Sequence, residues 1–164
     1  MISHGSSSDS TTTQPPQWQC LPFDALPLAD LYEVLATRQQ VFILEQQCFY
    51  DDFDGRDQLA HHLLGWHVVD GQRRLGAYLR ILAPGAKYAE MSLGRVLTAQ
   101  AARGTGMGRE LLRRGIAHAE ALYPGQRIRI GAQLYLEAFY SSFGFQTVSA
   151  PYDEDGILHI DMLR

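Results

Sequence analysis

Between Leu28 and about Gln47, apolar residues recur at roughly helical spacing, at Leu28, Leu31, Leu35, Val41, Phe42 and Leu44. The pattern predicts an amphipathic helix, interrupted near Arg38 to Gln40. The segment Cys48 to Asp57 then loses all period and mixes aromatic residues with Asp51, Asp52, Asp54 and Asp57, which reads as a loop. His61 to Val69 and Arg73 to Leu82 are strand-like runs joined by Asp70-Gly71, a dipeptide that accepts positive φ and so suits a tight hairpin. Glu90 to Thr98 predicts a third strand. A helix follows from about Gly106 to Leu122, with Met107, Leu111, Leu112, Ile116 and Ala119 on one side and Pro124-Gly125 as its stop. Arg127 to Gln133 predicts a short strand, Tyr135 to Ser142 a short helix, Phe143-Gly144-Phe145 the opening of another strand, and Ile157 to Leu163 the last one. The order β-β-β-α-β-α-β-β, without an internal repeat, gives an α+β or mixed-sheet fold.

At 164 residues and 46% hydrophobic composition, the chain is expected to form one domain around a single sizeable core. Residues 1–17 are rich in Ser, Thr, Gln and Pro and predict a disordered tail, leaving 18–164 as the folded domain. A formal charge of −4 speaks against a general nucleic-acid or anionic-membrane surface. The basic residues are nearly all arginine, with Lys87 the single lysine. No signal peptide and no apolar run of membrane-spanning length are present, so Cys20 and Cys48 are expected to be reduced in a cytoplasmic protein.

The densest chemistry lies in Arg103-Gly104-Thr105-Gly106-Met107-Gly108, between a predicted strand and a predicted helix. Glycines let backbone amides turn toward a ligand, and the first amides of a helix lack internal partners, so such a loop cradles phosphate. A Walker loop would place Lys and then Ser or Thr after the last glycine, where this chain has Arg109-Glu110. A dinucleotide fingerprint would need a third glycine one position later and an acid at the end of the strand Ile128 to Ile130, and neither is present. The spacing Arg103-x-x-Gly106-x-Gly108 instead matches the coenzyme A loop of the GNAT acetyltransferases. A second signature, Phe139-Tyr140-Ser141-Ser142-Phe143-Gly144-Phe145, is similar to the aromatic-Tyr helix and Gly-Phe strand start of that superfamily. Gly94-Arg95-Val96, Ala132-Gln133, Tyr152-x-Glu154-Asp155-Gly156-Ile157-x-His159-Ile160, Val41 to Gln46 and Asp52-x-Asp54-Gly55 further resemble the ElaA family of bacterial GNAT proteins.

That resemblance covers the chain from about Trp18 and implies a single-domain α+β fold with a mixed, mostly antiparallel sheet flanked by helices. It implies acetyl transfer from acetyl-CoA, without a metal, to an amine that attacks directly in a ternary complex. Arg95, Val96, Leu97 and Thr98 would offer backbone amides to the pantetheine and thioester. Arg103, Gly104, Thr105, Gly106, Met107 and Gly108 would seat the pyrophosphate, with Arg109 as a further phosphate partner. Gln133 stands where the superfamily often has Asn, and Tyr135 where ElaA-like proteins usually show His. Tyr140 would act as general acid. The base is left open among Glu45, the Asp51/Asp52/Asp54 group, His61, His62 and His159, with Glu45 as first choice. His61 and His62 begin a strand, so at most one of them can face the site. Asp52, Asp54, His62 and His159 are the candidate acceptor contacts, and the acids of two loops, Asp51 to Asp57 and Asp153 to Asp155, suggest a cationic amine, small or peptidic. A non-catalytic acetyl-CoA-binding or protein-interaction module on the same fold is the alternative. Monomer and homodimer are equally compatible with the sequence.

Overall fold

The hairpin forms as its turn chemistry dictates: Asp70 and Gly71 both take left-handed φ, +49° and +74°, and join β2 (His61–Val69) to β3 (Gln72–Leu82). The computed structural model describes residues 14–164, so the tail expectation for residues 1–13 lies outside the described residues. Gln17, placed in the tail from sequence, instead opens β1 (Gln17–Pro22), an unforeseen edge strand antiparallel to β2. β4 (Met91–Thr98) runs antiparallel to β3, and β5 (Ile128–Gln133) parallel to β4. β6 (Gln146–Thr147), β7 (Tyr152–Glu154) and β8 (Ile157–Leu163) complete the sheet, in the order β1-β2-β3-β4-β5-β8-β6 with β7 paired to β8. A mixed, mostly antiparallel α+β sheet is therefore observed.

The alternation of side chains along β2 and β3 divides the core between the two faces. Leu63, Leu79 and Ile81 pack with Leu111, Leu112 and Ile116 of α2 (Met107–Leu122). Leu64, Trp66 and Tyr78 pack with Val34 of α1 (Leu28–Arg38), and with Val41 and Phe42 of the π-helical stretch Gln39–Glu45 that continues it. The predicted helix thus widens where a break was expected. Its apolar stripe is narrower than read, since Leu28 is 85% and Leu44 53% exposed. α3 (Glu137–Ser141) follows a short 3-10 turn, Leu134–Leu136, and carries the aromatic signature.

Arg38 is fully buried at the end of α1. The acidic loop neutralises it: Nε meets Asp52 at 2.9 Å, Nη1 meets Asp57 at 2.8 Å, and Nη2 donates to the Asp52 carbonyl at 2.9 Å. Removing one member of a buried pair strands the other charge. Arg38→Ala is expected to lower stability by about 3–5 kcal/mol, read from urea unfolding.

Candidate active site

The site begins with one extra residue in a strand. Tyr78 pairs with Leu97 and Arg80 with Gly94, so Arg95 and Val96 of β4 together face Leu79 of β3. This is a β-bulge. Arg95 takes φ of +52°, a conformation that costs a non-glycine residue about 1 kcal/mol. Its guanidinium is held by Asp52, at 2.7 Å to the carboxylate and 3.2 Å to the carbonyl, and lies 5.5 Å from the centre of the Tyr50 ring. The bend carries β4 away from β5. The two strands pair only at Met91–Ile128 and Ser92–Arg129, and beyond Ser92 a cleft of about 840 Å³ opens between them. Arg95, Val96, Leu97 and Thr98 line one wall, and Ile130 to Gln133 the other.

The glycine loop closes one end of this cleft. Gly104 and Gly106 have φ of +77° and +88°, and Gly106 caps α2, whose first turn bonds Glu110 N–H to the Gly106 carbonyl at 3.1 Å. Among the described residues the amides of 104–109 find no hydrogen-bond acceptor, so they remain available to an anion. Arg103 and Gly108 line the cleft itself, and a Cβ on Gly108 would sit 3.1 Å from the Thr98 hydroxyl. Met107 drives its side chain into the core and can offer only its backbone. Arg103 bonds the Thr98 carbonyl at 3.1 Å and Glu45 at 2.6 Å. Arg109 lies over the rings of Phe143 and Phe139, outside the cleft lining.

Tyr140 lines the cleft from α3 and is 6% exposed, wedged edge-on against Phe139 and Phe145. Its hydroxyl has no partner among the described residues, and burial pushes the phenol well above the ordinary tyrosine range. Gln133 is 3.3 Å from Gln46 across the opening, and Tyr135, 75% exposed, stands at the rim. His159 of β8 pairs in register with Gln133 and faces the cleft. Its Nδ1 is 2.8 Å from the Ile157 carbonyl, and its Nε2 is 3.5 Å from Glu154.

Several sequence expectations for acceptor contacts need correction. His62 is fully buried behind β2, between the Tyr78 hydroxyl at 2.7 Å and the Asp57 carbonyl at 2.8 Å, away from the cleft. Asp52 is also out of the lining, with its carboxylate shared by Arg38 and Arg95. Asp54 does line the cleft, but both its oxygens are taken by Arg80. Burial alone would raise the Asp54 carboxyl; the Arg80 hydrogen bonds and charge overcome this and hold it well below the usual carboxylate range. Glu45 is tied to Arg103 near the glycine loop, so it is not a free base beside Tyr140. Arg56, Arg80 and Lys87 also line the cleft and were not singled out from sequence as site residues, whereas Glu154 and Asp155, from the second of the acidic loops expected to draw a cationic amine, do face it. Arg80 could have been found, as an arginine at a core position of an otherwise apolar strand.

A bulged strand diverging from its parallel neighbour, with a glycine loop at a helix start and a buried tyrosine facing the gap, is the arrangement expected of the GNAT acetyltransferase class. Residues 37–164 match the Acetyltransferase (GNAT) domain, and the chain belongs to that family. Within it the chain is ElaA-like. It is 38% identical to protein ElaA of Escherichia coli over 150 residues, 90% of this chain and 95% of that one. It is 41% identical to a UPF0039 protein of Synechocystis sp. over 146 residues, 89% of this chain and 93% of the other. The crystal structure of an acyl-CoA N-acyltransferase from Pseudomonas aeruginosa superposes with a TM-score of 0.83 at 39% identity, covering 91% of this chain and 99% of that one. Escherichia coli ElaA superposes with the same TM-score at 37% identity and the same coverage. No helix among the described residues is long and apolar enough to cross a membrane.

Burial holds His62 neutral in the fold and lowers its pKa, so the unfolded chain binds the extra proton first. Stability from this group is complete above the ordinary histidine range and declines as pH falls below about 6.5. Urea midpoints should drop from about pH 7 to pH 5, and His62→Gln should flatten that slope.

Proposed function

We propose that the chain transfers an acetyl group from acetyl-CoA to the amine of an acceptor by direct attack. The observation that carries this reading is the set of unpartnered amides at residues 104–109, at the end of the same cleft that Tyr140 faces. These amides suit a pyrophosphate, and the absence of side chains at Gly104 and Gly106 leaves the approach open. Arg103, already aimed along the cleft, is the natural phosphate partner, whereas Arg109 would have to leave its aromatic platform. Beyond Ser92 the β4 edge that faces β5 has no strand partner among the described residues; Ala99 N–H is spent on the Gly76 carbonyl of β3, so alternation leaves the amides of Val96 and Thr98 to bond a pantetheine arm and a carbonyl oxygen. Acetyl-CoA, when bound, supplies the activated thioester.

Tyr140 then provides the proton for the departing sulfur. A phenol shifted upward by burial is fully protonated at neutral pH, and its isolation behind Phe139 and Phe145 limits water access. For the base, geometry favours His159 over Glu45. Donation from Nδ1–H to the Ile157 carbonyl fixes the tautomer and leaves Nε2 to take the amine proton, with Glu154 placed to stabilise the resulting cation. Cys20 and Cys48 are unpaired, and burial raises both thiols, Cys20 to about 11, which makes them poor nucleophiles with no part in the transfer.

Incubation with acetyl-CoA and a panel of amines should release free thiol. Release by none of them, with coenzyme A still bound, would assign the chain to the non-catalytic module instead. Tyr140→Phe should keep coenzyme A affinity within about twofold while kcat falls roughly 10²–10⁴-fold, and unchanged turnover would remove Tyr140 from the acid role. Because the acid form is the active one and its pKa is raised, turnover should not decline with rising pH until above about 10. His159→Gln should lower kcat while leaving coenzyme A affinity within about twofold.

A further inference from the structure

The acids of the loop before β2 suggest a cationic acceptor when read alone, but the structure cancels them. Asp52, Asp54 and Asp57 are shared among Arg38, Arg56, Arg80 and Arg95, one more guanidinium than there are carboxylates. Arg80 is 1% exposed, lines the cleft, and keeps a buried Nε–H without a partner among the described residues. That donor lies beneath Gly94, where an added Cβ would be 3.9 Å from it, so no side chain covers it on this side. Lys87, the single lysine of the chain, lines the same wall and makes no salt bridge among the described residues. It stands at the exposed rim, where the charges of Arg95, Arg80 and Arg56 repel it and only that of Glu154 attracts it. A free protein cation held among like charges is an anion seat.

The opposite bank is of the other sign. Glu154 and Asp155 lie on the β7–β8 hairpin that carries His159, and Asp155 has no cationic partner among the described residues. The acceptor end of the cleft is therefore dipolar, with the basic bank on the β3–β4 side and the acid-histidine bank on the β5–β8 side. We propose that the acceptor is a small amine that also carries an acidic group, carboxylate or phosphate, with the acid held by Lys87 and Arg56 over Arg80 and the amine presented toward His159. This rests on the acetyl-transfer reading above. The amine end belongs near the Tyr140 gap, since His159 is in register with Gln133 on the strand that borders it.

Thiol release with acetyl-CoA would compare β-alanine with its methyl ester, and phosphoethanolamine with ethanolamine. At least one acidic member should exceed its neutral match by about tenfold or more in kcat/KM, and which pair does so separates carboxylate from phosphate. Added salt should shrink the ratio. Lys87→Gln should bring the ratio close to one through a rise in KM for the acidic member, and Lys87→Arg should restore most of it. Equal or better use of the neutral amines, or a ratio untouched in Lys87→Gln, would overturn the proposal. If no amine releases thiol, calorimetry of the same four compounds on the coenzyme A-bound protein still decides it. Binding of an acidic member that is weakened tenfold in Lys87→Gln sustains the anion seat although the transfer reading has failed, and no binding of either acidic member overturns it.

Discussion

The cleft depends on an ionic lattice buried beneath it. Arg38 from the end of α1, Arg80 from β3 and Arg95 from β4 converge on Asp52, Asp54 and Asp57, all supplied by one loop. Burying this many charges gains little net stability, because desolvation offsets most of the attraction; its effect is to forbid other arrangements, since any displaced member leaves a charge without a partner. The loop is thereby pinned against three elements at once. That pinning holds Arg95 in its left-handed turn, the turn bends β4, and the bend opens the gap between β4 and β5.

The two halves of the cleft are built by different physics. The glycine-loop end is made of backbone: amides that a helix start cannot satisfy, exposed by residues without side chains. Such a cradle suits phosphate by geometry and needs few particular side chains. The proposed acceptor end is made of side chains with opposed charges on two banks, joined to the core through the arginine lattice. Between them, Tyr140 is embedded in an aromatic wall, a site that suits a group meant to hold its proton rather than share it.

These differences decide what could be read from the sequence. The hairpin at Asp70-Gly71, the helix from Met107 and the glycine loop were legible because each rests on local rules of turn chemistry, period and capping. The position of Tyr140 on a short helix just before a strand was legible through its neighbours Phe139 and Gly144. β1 was missed because an edge strand of mixed polarity carries little pattern next to a polar tail, and β7 because three residues hold no period. The acceptor residues were misjudged for a deeper reason. Four aspartates in one loop look like a negative surface until Arg38, Arg80 and Arg95, distant in sequence, are brought in by the fold to answer three of them. His62 failed similarly: alternation places it on one face of β2, but only the tertiary structure shows that this face leads to Tyr78 and not to the cleft.

The bulge at Arg95 also constrains how this position can change over evolutionary time. Backbone conformation there favours glycine, while the carboxylate of Asp52 calls for a long cation, and no single amino acid meets both demands without strain. Glycine would relax the chain but leave Asp52 with less positive charge, and lysine would keep a charge but lose the paired contacts of the guanidinium fork. A lineage could move away from arginine here only by altering the loop acids in the same step, which couples the shape of the opening to the charge of its wall.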